Sequence, residues 1–135
     1  MEGSQNIDWV AEPIIKLNKP FIDERGKIQN LISLNELQSV VIIESKKDTI
    51  RANHYHKTDW HYCYVFSGLI NYFSRHVGSE KAPTLTNIKT GDLFFTPNMV
   101  EHAMVFPENT VFLTLGGGTR SHEDYEADLV RVKLV

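Results

Sequence analysis

A single cysteine, Cys63, stands in a chain of 135 residues. An intramolecular disulfide is therefore excluded, and with it the stapled scaffolds of small secreted domains. No charged segment followed by an apolar core opens the chain, so the expected setting is cytoplasmic. No apolar run reaches the length a membrane-spanning helix needs. A cationic surplus is missing as well: 14 Lys and Arg stand against 17 Asp and Glu, a formal charge of -3. That balance provides neither a basic stripe for nucleic acid nor a polybasic patch for a membrane, so a phosphate on a ligand has to be met by individual cationic side chains. Internal repeats, low-complexity stretches and long amphipathic helical periods are also absent. The length suits one domain with one core. Residues 1–12 show no clear period and read as an N-terminal arm, loose or exchanged with a partner; residues 13–135 read as the single domain.

What the chain does have is a series of short apolar or alternating runs rich in Val, Ile, Tyr and Phe, separated by Gly, Pro, Asn and Asp. They predict strands near 14–17, 27–31, 40–44, 50–55, 61–66, 69–74, 84–88, 92–96, 102–106, 111–115 and 129–134. Ser67-Gly68 reads as a tight hairpin turn, and Lys89-Thr-Gly91-Asp and Phe106-Pro-Glu-Asn-Thr110 as further turns. Many short strands with regular turns mean a sandwich or barrel. The one helical signal is Ser121-His-Glu-Asp124, a capping box with Asp in place of the usual Glu or Gln, which predicts a short helix near the C-terminus.

Four of the six histidines fall in two segments, His54-Tyr-His56-Lys-Thr-Asp-Trp-His61 and Pro97-Asn-Met-Val-Glu-His102. Alternate residues of a strand share a face, so His54 and His56 point the same way. By the same parity His61 groups with Cys63 and Val65, and His102 with Met104 and Phe106. Two neighbouring strands bring the four imidazoles together in an apolar-lined pocket, the usual make-up of a small-molecule site. Neutral imidazoles suit Zn, Fe, Ni, Cu and Mn. A single such histidine is more often a hydrogen-bonded core residue than a ligand, but consistent parity at four positions argues for one shared site.

The pattern His54-x-His56-x4-His61-x6-Gly68 followed by Gly91-x5-Pro97-x4-His102 resembles the two motifs of the cupin superfamily, with His61 where metal cupins usually carry Glu. Asp23-Glu-Arg-Gly26-Lys-Ile, Ile50-Arg51-Ala-Asn-His54-Tyr-His56-Lys57 and Glu123-Asp-Tyr125-Glu-x-Asp128 look like the nucleotide-sugar 3,4-ketoisomerase and 3,5-epimerase group. The resemblance spans about residue 21 to the C-terminus. It implies an all-β cupin barrel, a double-stranded β-helix or jelly roll, with at most a short C-terminal helix. It also implies an isomerase or epimerase acting on a dTDP-linked 4-keto-6-deoxyhexose in deoxysugar or polysaccharide biosynthesis. Two positions depart from the group: Arg51-Ala52 replaces its usual Arg-Gly, and His61 stands where its ketoisomerases have Gln and work without metal.

On this reading His54 and His56 are the acid–base pair that moves a proton through an enediol(ate). Arg51, Lys57 and Arg25 are expected to meet the diphosphate, Arg with bidentate contacts, and Tyr72 to stack on base or sugar, although aromatics in a β-protein more often serve packing. Parity places Arg51 on the face opposite His54 unless a bulge intervenes. Arg75 reads as a solvated charge, Cys63 as a small buried apolar residue, and Gly116-Gly-Gly118 as a turn needing unusual backbone angles. The alternative is a metal-dependent cupin in which His54, His56, His61 and His102 hold a divalent Zn, Fe, Ni or Mn ion for dioxygenase or other small-molecule chemistry, no organic cofactor being expected. A non-catalytic sugar-binding barrel is the third reading. Strand edges that invite pairing, together with the resemblance, predict a homodimer.

Overall fold

A computed structural model describes residues 7–118 and 121–135; the side chain of His122 and the first six residues of the N-terminal arm lie outside the described set. The strands are β1 (Phe21–Asp23), β2 (Gly26–Ile28), β3 (Ser39–Ser45), β4 (Thr49–His56), β5 (His61–Ser67), β6 (Leu69–His76), β7 (Thr84–Lys89), β8 (Leu93–Thr96), β9 (Val100–Phe106), β10 (Thr110–Gly116) and β11 (Leu129–Arg131), with one helix, α1 (His122–Asp128). They form a four-stranded sheet ordered β3-β10-β5-β8, a five-stranded sheet ordered β11-β4-β9-β6-β7, and the separate hairpin β1-β2.

Alternation explains how the two large sheets face each other. In β5, His61, Cys63 and Val65 are buried while Tyr62 and Tyr64 are only partly so. In β6 the buried set is Ile70, Tyr72 and Ser74. The core joins Cys63, Val65, Phe94 and Phe112 of one sheet to Ile70, Tyr72, Ile88, Met104 and Phe106 of the other. The fold is therefore the all-β barrel expected from the sequence. Ser121 caps α1 as read, its hydroxyl accepting from the Asp124 amide at 3.3 Å.

Several expected boundaries move. The strand expected at 14–17 is reduced to a short pairing against β8: the Ile15 amide donates to Leu93, the Phe95 amide donates to Pro13, and Ile14 bridges Phe94. Trp9 packs edge-on against Phe95 with ring centroids 4.8 Å apart, so residues 9–15 cover the outside of that strand. The runs at 27–31 and 129–134 shorten to 26–28 and 129–131, and β1 was not foreseen. β1 and β2 pair only with each other, and Phe21, Ile22 and Ile28 stay exposed. An apolar run with no sheet to cover it carries no alternation to read.

β4 contains the irregularity that orients the site. Its pairing with β9 shifts register between Ala52 and His54, because Ala52 and Asn53 are both left-handed, with φ of 72° and 55°. An extra residue of this kind turns a strand over locally. Asn53 tolerates the conformation better than most residues. It is also held: its side-chain oxygen accepts from the amides of Leu134 and Val135 at 3.0 and 3.1 Å, and its carbonyl accepts from the Val132 amide at 3.0 Å. Ala52 has no such polar anchor, and its left-handed backbone costs about 1–2 kcal/mol. A β-branched side chain there is a genuine outlier. Ala52→Val should therefore lower the unfolding free energy by about 2 kcal/mol in denaturant titration, while Ala52→Gly leaves it equal or higher. A valine variant as stable as the parent would contradict the bulge.

Candidate active site

Past the bulge, β4 turns His54 and His56 inward, and both are buried. The restored register sets His54 directly opposite His102 of β9. The ring centroids of His54 lie 4.8 Å from those of both His56 and His102, and His61 of β5 closes the group with its centroid 4.7 Å from that of His56. The two sheets thus bring the four predicted histidines to one cavity of about 150 Å³. Thr96, Cys63, Met104, Phe112, Thr114 and Tyr125 share its wall. Val65 and Phe106, expected in the lining, sit deeper in the core.

The same bulge brings Arg51 to this cavity despite its parity. Its guanidinium is fixed by neutral partners, with Nε donating to the Ser45 hydroxyl at 2.6 Å and Nη2 to the Glu44 carbonyl at 2.9 Å. Its charge is left for an anion.

The other residues expected to meet the substrate do not line this cavity. Tyr72 is fully buried, its hydroxyl 2.8 Å from that of Thr96, so it supports the cavity wall from behind and offers no face to a ligand. Arg25 lies on the β1-β2 hairpin, outside the cavity, paired with Asp23 at 2.6 Å. Lys57 follows β4 with its side chain exposed and does not line the cavity. Arg75 is paired with Glu101 at 2.7 Å, and Cys63 is buried beside the Thr114 hydroxyl.

Two carboxylates behind the histidines were not singled out as site residues. Asp128, at the end of α1, accepts from the Thr58 amide and hydroxyl, the Asp59 amide and His56 Nδ1, the last at 3.1 Å. Burial pushes its carboxyl up, but the Thr58 and Asp59 hydrogen bonds outweigh it and hold the group below the ordinary carboxylate range. An ionised carboxylate only accepts, so His56 Nδ1 carries the hydrogen and Nε2 keeps its lone pair. His102 is set the same way, Nδ1 donating to the Val100 carbonyl at 3.0 Å.

Asp59 is the second. Its Oδ1 accepts from the Trp60 amide at 2.8 Å, and its Oδ2 lies 3.3 Å from His61 Nε2. Burial raises its carboxyl, but the His61 ring and the Trp60 amide bring it below the usual range. The 3.3 Å approach lacks hydrogen-bond geometry. Among the described residues His61 Nε2 and Ser39 Oγ are the two buried side-chain atoms without a hydrogen-bond partner.

The glycine triplet explains how so much fits. None of Gly116, Gly117 and Gly118 has a positive φ, so the expected turn with unusual angles is not its role. A methyl group on Gly116 would come within 3.0 Å of His61 Cδ2, on Gly117 within 2.3 Å of Trp60 Cε2, and on Gly118 within 2.9 Å of Asp59 Cγ. Three bare positions pass alongside three consecutive large side chains.

Ligand atoms form two overlapping sets, His54–His56–His102 and His56–Asp59–His61, each with its atoms within 4.8 Å of one another. Two of the rings, His102 and His56, are kept neutral by their surroundings. Burial pushes His102 well below the ordinary 6.5, helped by His54, and burial followed by His61 lowers His56. The unfolded chain takes up protons on these rings near 6.5, the folded chain only at lower pH. Within that window the unfolded state holds more protons, so stability is present above 6.5 and is lost as pH falls below it. Calorimetry of chelator-treated protein should show the melting temperature dropping between about pH 7 and pH 5, with a limiting slope of about 1.4 kcal/mol per pH unit for each ring. His102→Asn should flatten the drop; a slope unaltered in that variant would show that His102 is not its source.

No family model and no curated protein matches the sequence. Solved structures do match the fold. A double mutant of the QdtA 3,4-ketoisomerase from Thermoanaerobacterium thermosaccharolyticum, in complex with TDP, is 21% identical, with 87% of this chain aligned to 85% of that one at a TM-score of 0.69. A 3,4-ketoisomerase from Helicobacter canadensis is 18% identical over 87% and 88% of the two chains at 0.71. NovW, a 4-keto-6-deoxy sugar epimerase from Streptomyces spheroides, is 13% identical over 88% and 71% at 0.69. The barrel described above is thus the fold of these sugar isomerases and epimerases.

Proposed function

We propose that this chain is a nucleotide-sugar isomerase or epimerase acting on a dTDP-linked 4-keto-6-deoxyhexose. The observation that carries the reading is that four histidines, with His56 and His102 held neutral by burial, and the Arg51 guanidinium, held by uncharged partners, face one cavity. The cavity of about 150 Å³ is smaller than the ~300–1,000 Å³ of a site that swallows a whole ligand. It suits one sugar ring, with the nucleotide lying across the mouth. The likeness to 3,4-ketoisomerases and a 4-keto-6-deoxy sugar epimerase supports the same substrate class.

Moving the carbonyl, or inverting a neighbouring centre, begins with loss of a proton from the carbon beside the ketone. A neutral imidazole accepts it, charge passes to the ketone oxygen as an enediol(ate), and an imidazolium returns a proton. His54 and His56 are the pair for these steps, their rings edge to face with centroids 4.8 Å apart. Asp128 acts through His56, fixing its tautomer and stabilising the cation formed when Nε2 takes up a proton. Arg51 meets the diphosphate.

A metal-dependent reading is favoured by His61 Nε2, buried without a hydrogen bond, and by the two ligand sets, whose donors fit a divalent ion. Such an ion would polarise the ketone as a Lewis acid. A homodimer is the proposed assembly, supported by the exposed Phe21, Ile22 and Ile28 of the β1-β2 hairpin and Val40 and Ile42 on edge strand β3. A cytoplasmic setting is the proposed location, supported by the lone reduced cysteine.

Millimolar dTDP should raise the melting temperature by several degrees, corresponding to about 2.7 kcal/mol at a hundred times Kd. Arg51→Gln should lose most of that rise. His54→Asn should keep it and lose solvent-deuterium exchange into the ketosugar, read by mass spectrometry. Absence of any nucleotide-dependent shift in the parent protein would overturn the reading.

A further inference from the structure

The C-terminal segment flanks β4 on the side away from β9. β11 runs antiparallel to β4, with Leu129 across from His56 and Arg131 across from His54. On the other side β9 skips Asn53, its pairing passing from Ala52 to His54. The residue that β9 skips is taken up by the tail. The Val132 amide donates to the Asn53 carbonyl at 3.0 Å, and the Leu134 and Val135 amides donate to Oδ1 at 3.0 and 3.1 Å. Nδ2 donates in return to the Val135 carbonyl at 3.2 Å. Both ends of the side-chain amide and the backbone carbonyl are therefore engaged by residues 132–135.

We infer that Asn53 and residues 132–135 form a clasp that positions Arg51, so that docking of the tail and binding of a diphosphate at the cavity are coupled. The inference deepens the sugar-nucleotide reading and rests on its assignment of Arg51 to the diphosphate.

The bulge is the element with two arrangements. Left-handed backbone is disfavoured for residues with a side chain, and Ala52 has no polar group to offset it at φ 72°. A regular strand through the same residues relieves that strain, but its alternation puts Arg51 and His54 on opposite faces. His54 is fixed from both sides, by pairing with Arg131 of β11 and with His102 of β9. Straightening the strand therefore turns Arg51 away and leaves the histidines in place.

Arg51 cannot hold the bulge by itself. Its bonds to the Ser45 hydroxyl and the Glu44 carbonyl run from the guanidinium to β3 and orient that group once it has arrived. The bonds of Asn53 act on the bulge backbone directly. Asparagine also suits both demands of the position, since it tolerates a positive φ and offers an acceptor and donors together. Glycine would meet the first demand alone.

Only the bulged arrangement presents the guanidinium to the cavity, so an anion that meets Arg51 there binds that arrangement alone. Its binding then favours the docked tail, and the docked tail favours its binding by the same factor. In this scheme Asn53 and the tail are positioning residues and touch no ligand.

The test is a double-mutant cycle on the full chain, with the Kd for dTDP measured by calorimetry in the parent, Asn53→Gly, Arg51→Gln and the double variant. Asn53→Gly keeps the backbone freedom and removes every side-chain bond of the clasp. It is expected to raise Kd at least about tenfold. With Arg51→Gln already in place the same change should alter Kd by less than about twofold, because its effect runs through Arg51. In the parent, saturating dTDP should slow hydrogen exchange at the Val132, Leu134 and Val135 amides by about the factor lost in Asn53→Gly, and in Arg51→Gln it should not. Should Asn53→Gly fail to fold, Leu134→Pro, which deletes one of the two amides on Oδ1, takes its place in the cycle. Parent-like affinity in the clasp variant, equal losses with and without Arg51, or tail amides indifferent to dTDP would each overturn the clasp. If the parent takes up no dTDP, pyrophosphate is the probe for the same cycle. Binding of pyrophosphate alone unseats the sugar-nucleotide reading while the cycle still decides the clasp, and binding of neither overturns both.

Discussion

The bulge at Ala52 and Asn53 is the constraint on which the site depends. Without it β4 would keep one parity throughout, and Arg51 would face away from the cavity while His54 and His56 faced in. Two left-handed residues turn the strand over once, so that a cation and two imidazoles from the same strand meet in one space. The bulge is restrained through Asn53, whose side chain and carbonyl gather the amides of residues 132, 134 and 135. Backbone strain at a cavity wall, restrained from outside, is a common arrangement at functional sites.

Below that, the cavity is built in two layers. The inner one is imidazole, with His56 and His102 held neutral by burial. The outer one fixes each ring: Asp128 holds His56 and the Val100 carbonyl holds His102, each through Nδ1, leaving Nε2 with its lone pair. Proton transfer and metal binding both need that lone pair, which is why one architecture serves either chemistry. Asp59 stands beside His61 outside the cavity wall, as Asp128 stands beside His56.

Much of this was legible in the sequence. The strand pattern, the inward parity of His61, Cys63 and Val65, the meeting of four histidines and the cap at Ser121 follow from period and spacing. Parity alone could not place Arg51 at the cavity, because the bulge that brings it there is made by Ala and Asn, with no glycine to announce it. Tyr72 looked like a stacking residue, but a hydroxyl paired with Thr96 across the sheets leaves no signal in one dimension. Asp59 stood within the histidine motif and was passed over, since its approach to His61 depends on bare backbone more than fifty positions away. The glycines providing that space were read as a turn because glycine has two uses, and spacing does not tell freedom of φ from the lack of a side chain.

That triplet ties together two stretches of chain that share no chemistry. Bulk gained at 116–118 must be given up at 59–61, and the converse, so natural drift at one stretch is confined by the other. Each small residue there is as restricted in its replacements as a ligand would be, although it touches no substrate. Divergent copies of this barrel can be expected to change the two stretches together, and the alphabet allowed at 116–118 records how large a side chain each copy keeps across from them.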